Sequence, residues 1–215
     1  MNTGLVILCY AGAILLGYLF GNINTAAILA KIKGFDIRKK GSGNAGASNA
    51  YLTMGKSAAA FSAIVDIFKA FIPVWFTLHI LHLPDELRHM PVVTGVSVII
   101  GHMFPFWMQF RGGKGFASLL GMNLALNWKF FFFCVGILAV IMLFTRYIAL
   151  ATVSCAIALP VWWYLRTGDA AETMLFSLVA VIVIWKHIPN FKRIMSGTEL
   201  IPASPVKSDE EQESA

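Results

Sequence analysis

The sequence predicts an all-α, polytopic bundle of about seven transmembrane helices, and three observations carry that prediction. Hydrophobic residues make up 58% of the 215-residue chain and charged residues only 13%, with a mean hydropathy of +0.72. A soluble domain clothes its surface with roughly twice that share of charge. The apolar residues gather in runs of about 17 to 25, the length a helix needs to cross a bilayer, and the lysines and arginines fall in alternate connections between them. Because hydrocarbon offers no water to unpaired backbone groups, helices rather than open sheet must carry the crossings.

The first run, 4–21, has no basic residue before it and its first lysine is Lys31, the reverse of a secretory signal peptide's basic start. It reads as a retained anchor. The second, 57–81, carries Asp66 and Lys69 three apart on one helix face, where each can neutralise the other. Intramembrane charges are functional suspects, and a structural ion pair supporting the loops is the competing reading. Runs follow at 91–108, 130–146, 148–165 and 171–187, with a shorter one at 116–127 that suits a short, tilted or re-entrant helix. Counting it gives seven crossings and places the termini on opposite sides.

With the N-terminus outside, the inner loops receive Lys31, Lys33, Arg38, Lys39, Lys40, Lys56, Arg111, Lys114, Arg146, Lys186, Lys192, Arg193 and Lys207, against Arg88, Lys129 and Arg166 outside. Leaving out 116–127 would send the later basic loops to the wrong side. Residues 1–200 therefore read as one integral membrane domain with a cytoplasmic C-terminus. Residues 201–215, with Asp209, Glu210, Glu211 and Glu213 and no apolar periodicity, read as a disordered acidic tail. Cys9, Cys134 and Cys155 lie in apolar runs without CxxC spacing, which suggests neither disulfides nor a thiolate metal site. His79, His82 and His89 fall toward the outer side without metal spacing to cysteines or carboxylates and read as interfacial.

Three inner segments carry the chemistry. The first is Gly41-Ser42-Gly43-Asn44-Ala45-Gly46-Ala47-Ser48-Asn49, whose glycines let the backbone approach a ligand while hydroxyl and amide groups offer donors, a way for an uncharged loop to cradle an anion. A flexible polar connector is the bland alternative. The second runs from Gly101-His102-Met103-Phe104-Pro105 to Arg111-Gly112-Gly113-Lys114-Gly115-Phe116. Free amides, a helix start and a fixed ammonium make a phosphate site there. It is not a nucleotide P-loop, since Lys114 is followed by Gly115 and the leading position is Met108. A tight inter-helix turn with a snorkelling lysine is the alternative. The third is Trp185-Lys186-His187-Ile188-Pro189-Asn190-Phe191-Lys192-Arg193, followed by Gly197-Thr198-Glu199. His187 and Asn190 can share one face of a helical turn, although Pro189 argues against a regular helix there.

Together and in this order, GSGNAGASN, GHMFPFWMQFRGGKG and KHIPNFKR followed by GTE resemble the bacterial acyl-phosphate:glycerol-3-phosphate acyltransferase family of phospholipid synthesis. The resemblance implies seven helices with an outside N-terminus in the bacterial cytoplasmic (inner) membrane and an active site on the cytoplasmic face. It also implies acyl transfer from a fatty acyl phosphate to the 1-hydroxyl of glycerol 3-phosphate, giving lysophosphatidic acid and phosphate. Ser42, Lys114, His187 and Asn190 would be catalytic, and Asn44, Ser48, Gly112, Gly113 and Gly115 would bind substrate. Besides the two substrates and membrane lipid, the enzyme supplying the acyl phosphate is a candidate partner. No metal, nucleotide, coenzyme A or nucleic acid is called for.

The chain departs from the family at several positions. The family usually has arginine at Leu52, proline at Ala45, threonine at Ser48, arginine at Lys186, and serine and proline at Asn22 and Asn24. Leu52 removes a cation expected at a phosphate, which Arg38, Lys39 or Lys56 would have to replace. Two other readings therefore stay open: a divergent non-catalytic homologue, and a transporter or binder of an anionic metabolite. Thioester-dependent acyltransferases with a His-x-x-x-x-Asp pair are excluded, because no histidine here has an aspartate five residues later.

Overall fold

The computed structural model describes residues 1–201, and the acidic tail expected at 201–215 lies, beyond Ile201, outside the described residues. The α-helices of the described chain are α1 Thr3–Gly21, α2 Thr25–Ile32, α3 Ala47–Met54, α4 Lys56–His79, α5 Met90–Met103, α6 Phe116–Leu126, α7 Trp128–Thr145, α8 Ile148–Thr167 and α9 Ala170–Met195, and no strand occurs among the described residues. Six stretches among the described residues are long and apolar enough to cross a membrane, namely Thr3–Ile32, Lys56–His79, Asp85–Met108, Trp128–Thr145, Ile148–Thr167 and Ala170–Met195. The short run expected at 116–127 is α6, whose 11 residues reach about 16 Å at 1.5 Å per residue.

Three boundaries differ from the sequence reading. The segment between α1 and α4 contains two short helices: Asn24 caps α2 by accepting from the Ala27 amide at 2.9 Å, and α3 starts at Gly46 without a side-chain cap. The run expected at 91–108 breaks after Met103, where Pro105 ends the helix and one tight turn, Phe106–Met108, follows. The last helix passes Pro189 and continues to Met195. The proline ring there forfeits one backbone bond, to the carbonyl four residues back, and the bonds on either side hold the helix.

Helices α1 and α5 approach closely through small residues. A Cβ on Gly21 would collide with the Val98 carbonyl, and one on Gly101 with the Tyr18 carbonyl. Gly121 brings α6 equally close to α4, against the backbone of Ile67. Such contacts are how helices associate where lipid removes the hydrophobic drive between them. The α7–α9 side packs with large groups instead: Phe130, Trp163 and Phe176 are buried, and Trp162 lies against Phe130 and Phe133. Cys134 and Cys155 are buried free thiols, and Cys9 is half-buried.

Candidate active site

All three segments converge on one cavity of about 220 Å³ at one end of the bundle. Ser42, Asn44, Ser48, Lys114, Gly115, His187 and Asn190 line it, joined by Asp66, His102, Glu199 and Leu52. Its apolar arm runs between helices past Leu120, Leu138 and Ala149.

Asparagines shape the first loop. Asn49, fully buried, donates to the carbonyls of Ile37 and Lys40 at 2.9 and 3.0 Å and accepts from the Ser42 amide at 2.8 Å. Asn24 donates to the Ala45 carbonyl at 2.9 Å, and Asn22 accepts from the Phe106 amide at 2.9 Å. The two asparagines that stand where the family usually has serine and proline thus tie the α1–α2 turn to both neighbouring loops. Glycines at 41 and 43 take positive φ, 57° and 72°, a conformation that costs little without a Cβ.

Two helix N-termini open on the cavity. Neither α3, at Ala47 and Ser48, nor α6, at Phe116 and Ala117, has its first-turn amides taken by a capping side chain. Free first-turn amides and the helix dipole favour an anion there. Lys114 stands beside the α6 terminus and donates to Asn190 Oδ1. Asn190 in turn donates to Glu199, whose other oxygen accepts from Arg193 Nε at 2.7 Å. Burial pulls the Lys114 ammonium down to about 8, helped by repulsion from Arg193 and Lys186 and opposed by Glu199. His187 donates from Nδ1 to the Val183 carbonyl at 2.7 Å, because a carbonyl can only accept. Its Nε2 therefore keeps a lone pair.

Gly112 and Gly113 are placed differently from the expectation. Their amides donate to the carbonyls of Met103 and His102 at 3.1 Å, and neither residue lines the cavity. A Cβ on Gly112 would strike the His102 carbonyl, and one on Gly113 the His102 ring. They are required by close packing, while the amides free for an anion belong to the helix start that follows. Arg38, Lys39 and Lys56, the cations expected to compensate for Leu52, are not among the residues that line the cavity. Arg38 instead grips Asp36 at 2.8 Å and the Met108 carbonyl at 2.8 Å, and holds the Asp36 carboxyl down to about 2.

Glu199 and Arg193, given no role in the sequence reading, complete the site's polar chain. Their signal is the Gly197-Thr198-Glu199 turn, where Gly197 takes φ 70° and the Thr198 amide donates back to the Arg193 carbonyl at 2.8 Å. At the opposite end, His89 meets Asp169 and Glu172, with all three ligand atoms within 4.8 Å of one another. The sequence shows no such proximity, but both carboxylates are already engaged. Asp169 caps α9 at 3.0 Å, and Glu172 accepts from His89 Nδ1 at 3.1 Å and from Trp163 Nε1 at 2.5 Å. The cluster is a clasp between α5, α8 and α9.

Fold and site together define an integral membrane protein with a partly apolar cavity at one end of a helix bundle, lined by the uncapped starts of two helices. A model of the glycerol-3-phosphate acyltransferase family matches residues 11–197, and the chain belongs to that family. It is 37% identical to a glycerol-3-phosphate acyltransferase of Prochlorococcus marinus, over 85% of this chain and 92% of the relative. It is 38% identical to glycerol-3-phosphate acyltransferase 1 of Oceanobacillus iheyensis, over 88% and 93%. The fold is similar to crystal structures of PlsY, an integral membrane glycerol 3-phosphate acyltransferase. The glycerol 3-phosphate form gives a TM-score of 0.82 at 28% identity, covering 89% of this chain and 94% of that one. The lysophosphatidic acid form gives 0.78 at 27%, with the same coverage.

Proposed function

We propose that this protein transfers a fatty acyl group from acyl phosphate to the 1-hydroxyl of glycerol 3-phosphate, releasing lysophosphatidic acid and inorganic phosphate. The observation that carries the reading is the single cavity in which Ser42, Lys114, His187 and Asn190 meet beside two uncapped helix N-termini. Two phosphate-bearing substrates need two anion subsites. The α6 terminus with Lys114 supplies one, and the α3 terminus with the Ser42 and Ser48 hydroxyls and Asn44 supplies the other. The apolar arm is suited to the first carbons of an acyl chain whose remainder lies in lipid.

An acyl phosphate is an activated mixed anhydride, so alignment and charge stabilisation carry most of the catalysis. The 1-hydroxyl attacks the acyl carbonyl carbon, the carbon–oxygen bond to phosphate breaks, and phosphate leaves with the bonding pair. His187 Nε2, held as an acceptor by its bond to Val183, takes the hydroxyl proton, and Lys114 compensates the leaving charge. Asn190 orients the Lys114 ammonium through its own anchor on Glu199. Gly115 begins the helix whose amides hold the anion, and Gly112 and Gly113 shape the turn.

The same reading places the cavity on the cytoplasmic face of a bacterial inner membrane, with seven crossings in one domain over 1–200 and the N-terminus outside. Supporting it, the Met1 amino group contacts Glu86 at 2.7 Å and Arg88 lies 3.8 Å from Asp169, so the start of α1, the start of α5 and the α8–α9 turn share the end away from the cavity. Helix α6 begins at the cavity, and α7 returns toward Ile148, which lines it, making an out-and-back pair. The basic loops fall on the cavity side. The acyl-phosphate-supplying enzyme remains the natural protein partner.

The test is turnover by the purified protein in lipid with palmitoyl phosphate and labelled glycerol 3-phosphate, and with palmitoyl-coenzyme A as a challenge donor. Lysophosphatidic acid and phosphate formed in equal amounts from the acyl phosphate alone are expected. Tight binding of glycerol 3-phosphate without product in folded protein would shift the reading to a transporter or silent homologue.

A further inference from the structure

The reaction above leaves unused a buried polar group in the cavity wall. Lys69 on α4 makes three contacts: Asp66 Oδ1 at 2.7 Å, the Ile23 carbonyl at 2.5 Å and His102 Nδ1 at 2.8 Å. The Asp66 and Lys69 side chains are each 2% exposed, and that of His102 is 3% exposed. An ammonium has three protons and no lone pair, so all three neighbours must accept. His102 Nδ1 therefore supplies a lone pair and its ring proton sits on Nε2. Among the described residues Nε2 finds no protein acceptor, yet His102 and Asp66 both line the cavity. Gly113 lies against this nitrogen, and a Cβ there would collide with it. The missing side chain is what leaves room for the ring's outer edge.

We propose that His102 is a further catalytic residue, a neutral imidazole whose Nε2–H donates to a phosphate oxygen of a substrate in the cavity, with Lys69 and Asp66 as positioning residues that fix its tautomer. The proposal rests on the acyltransferase reading of the cavity and deepens it. His187 is held in the opposite tautomer by the Val183 carbonyl, so the cavity contains one imidazole that can only donate and one that can only accept at the face each presents. That division matches a reaction in which one oxygen gives up a proton while another gains negative charge. A hydrogen bond to a charged group contributes about 1.5–3 kcal/mol, equivalent to roughly 10- to 150-fold in binding of the species it contacts. The charged groups facing His102 are Asp66 and Lys69 from α4 and Lys186 from α9. Lys186 is anchored on the Met103 carbonyl at 2.8 Å.

The experiment is nitrogen-15 magnetic resonance of histidine-labelled full-length protein in lipid at pH 6–8, free and with glycerol 3-phosphate or palmitoyl phosphate. His102 is expected to show a protonated Nε2 and a bare Nδ1 across that range, with the Nε2 signal shifting on addition of one of the two substrates. In the Lys69→Met variant the tautomer preference is expected to be lost. His102→Phe is expected to raise the KM of the phosphate-bearing substrate it contacts about tenfold or more, and His102→Gln, which keeps an N–H donor, to recover part of that. A protonated Nδ1 in the wild type, or an Nε2 signal that neither substrate moves, overturns the proposal, including where the His102 variants do not fold. Absence of turnover in a wild type whose His102 signal still responds would overturn the acyltransferase reading while leaving the donor role standing.

Discussion

The two ends of the bundle each hold a cluster of charged and polar side chains that ties sequence-distant helices, and they use those groups in opposite ways. At the cavity end, Asp66, Lys69 and His102 are almost fully buried and every proton of the Lys69 ammonium is engaged. At the other end, His89 and Asp169 are about a fifth exposed, 22% and 21%, and Arg88 reaches Asp169 only at 3.8 Å from a side chain 68% exposed. Water can replace the partners of the second cluster but not those of the first. The same residue types are therefore interchangeable clasps at one end and fixed parts at the other.

The largest effect expected follows from stranding a buried charge. Asp66→Ala leaves Lys69 uncompensated and should cost about 3–5 kcal/mol, read as a large drop in the thermal midpoint of the protein in lipid. A small drop would mean that the cavity-end cluster is as replaceable as the clasp. Next, Lys114→Ala should lower turnover about 10²–10³-fold, as for loss of one stabiliser of developing negative charge, while the thermal midpoint stays near that of the wild type. Unchanged turnover would remove Lys114 from the site.

A subtler comparison comes from pH. Burial holds Lys114 at about 8, so the ammonium is present below that value and lost above it. Turnover should decline as pH rises through about 8, and Lys114→Arg, which stays charged, should flatten the decline even at reduced activity. The smallest effect belongs to the clasp, where His89→Ala should cost about 0–1 kcal/mol. The N-cap bond from the Glu172 amide, with His89 and Arg88 nearby, holds the Asp169 carboxyl below its usual range. The stability Asp169 contributes is thus present above its ordinary value and lost as pH falls through its folded value, detectable as acid-dependent melting that Asp169→Asn lacks.

The asymmetry also explains what could be read in advance. Hydropathy located the start of every long helix to within two residues, because a bilayer imposes length and composition on each span independently of its neighbours. The boundaries that moved are local events: Asn24 capping α2, Pro105 ending α5, and Pro189 tolerated inside α9. That Ser42, Asn44, Ser48, Lys114, Gly115, His187 and Asn190 would gather at one cavity was legible because glycine, hydroxyl, amide and basic residues stand out against apolar runs. Gly112 and Gly113 stood out for the same reason but serve packing against His102 and Pro105, since a glycine's sequence cannot tell a free amide from a crowded Cα.

By itself, then, the sequence determined that this is a multispan helical membrane protein with three polar segments suited to an anion, because burial in lipid and phosphate chemistry both select residue types position by position. Only the tertiary structure decided which donors are free. The convergence of α3 and α6 on one cavity, the Glu199 anchor for Asn190, the Asp169–Glu172–His89 clasp and the opposed tautomers of His102 and His187 depend on pairings between residues dozens of positions apart. Hydrogen-bond valence is satisfied in space, and a linear chain does not display who its neighbours will be.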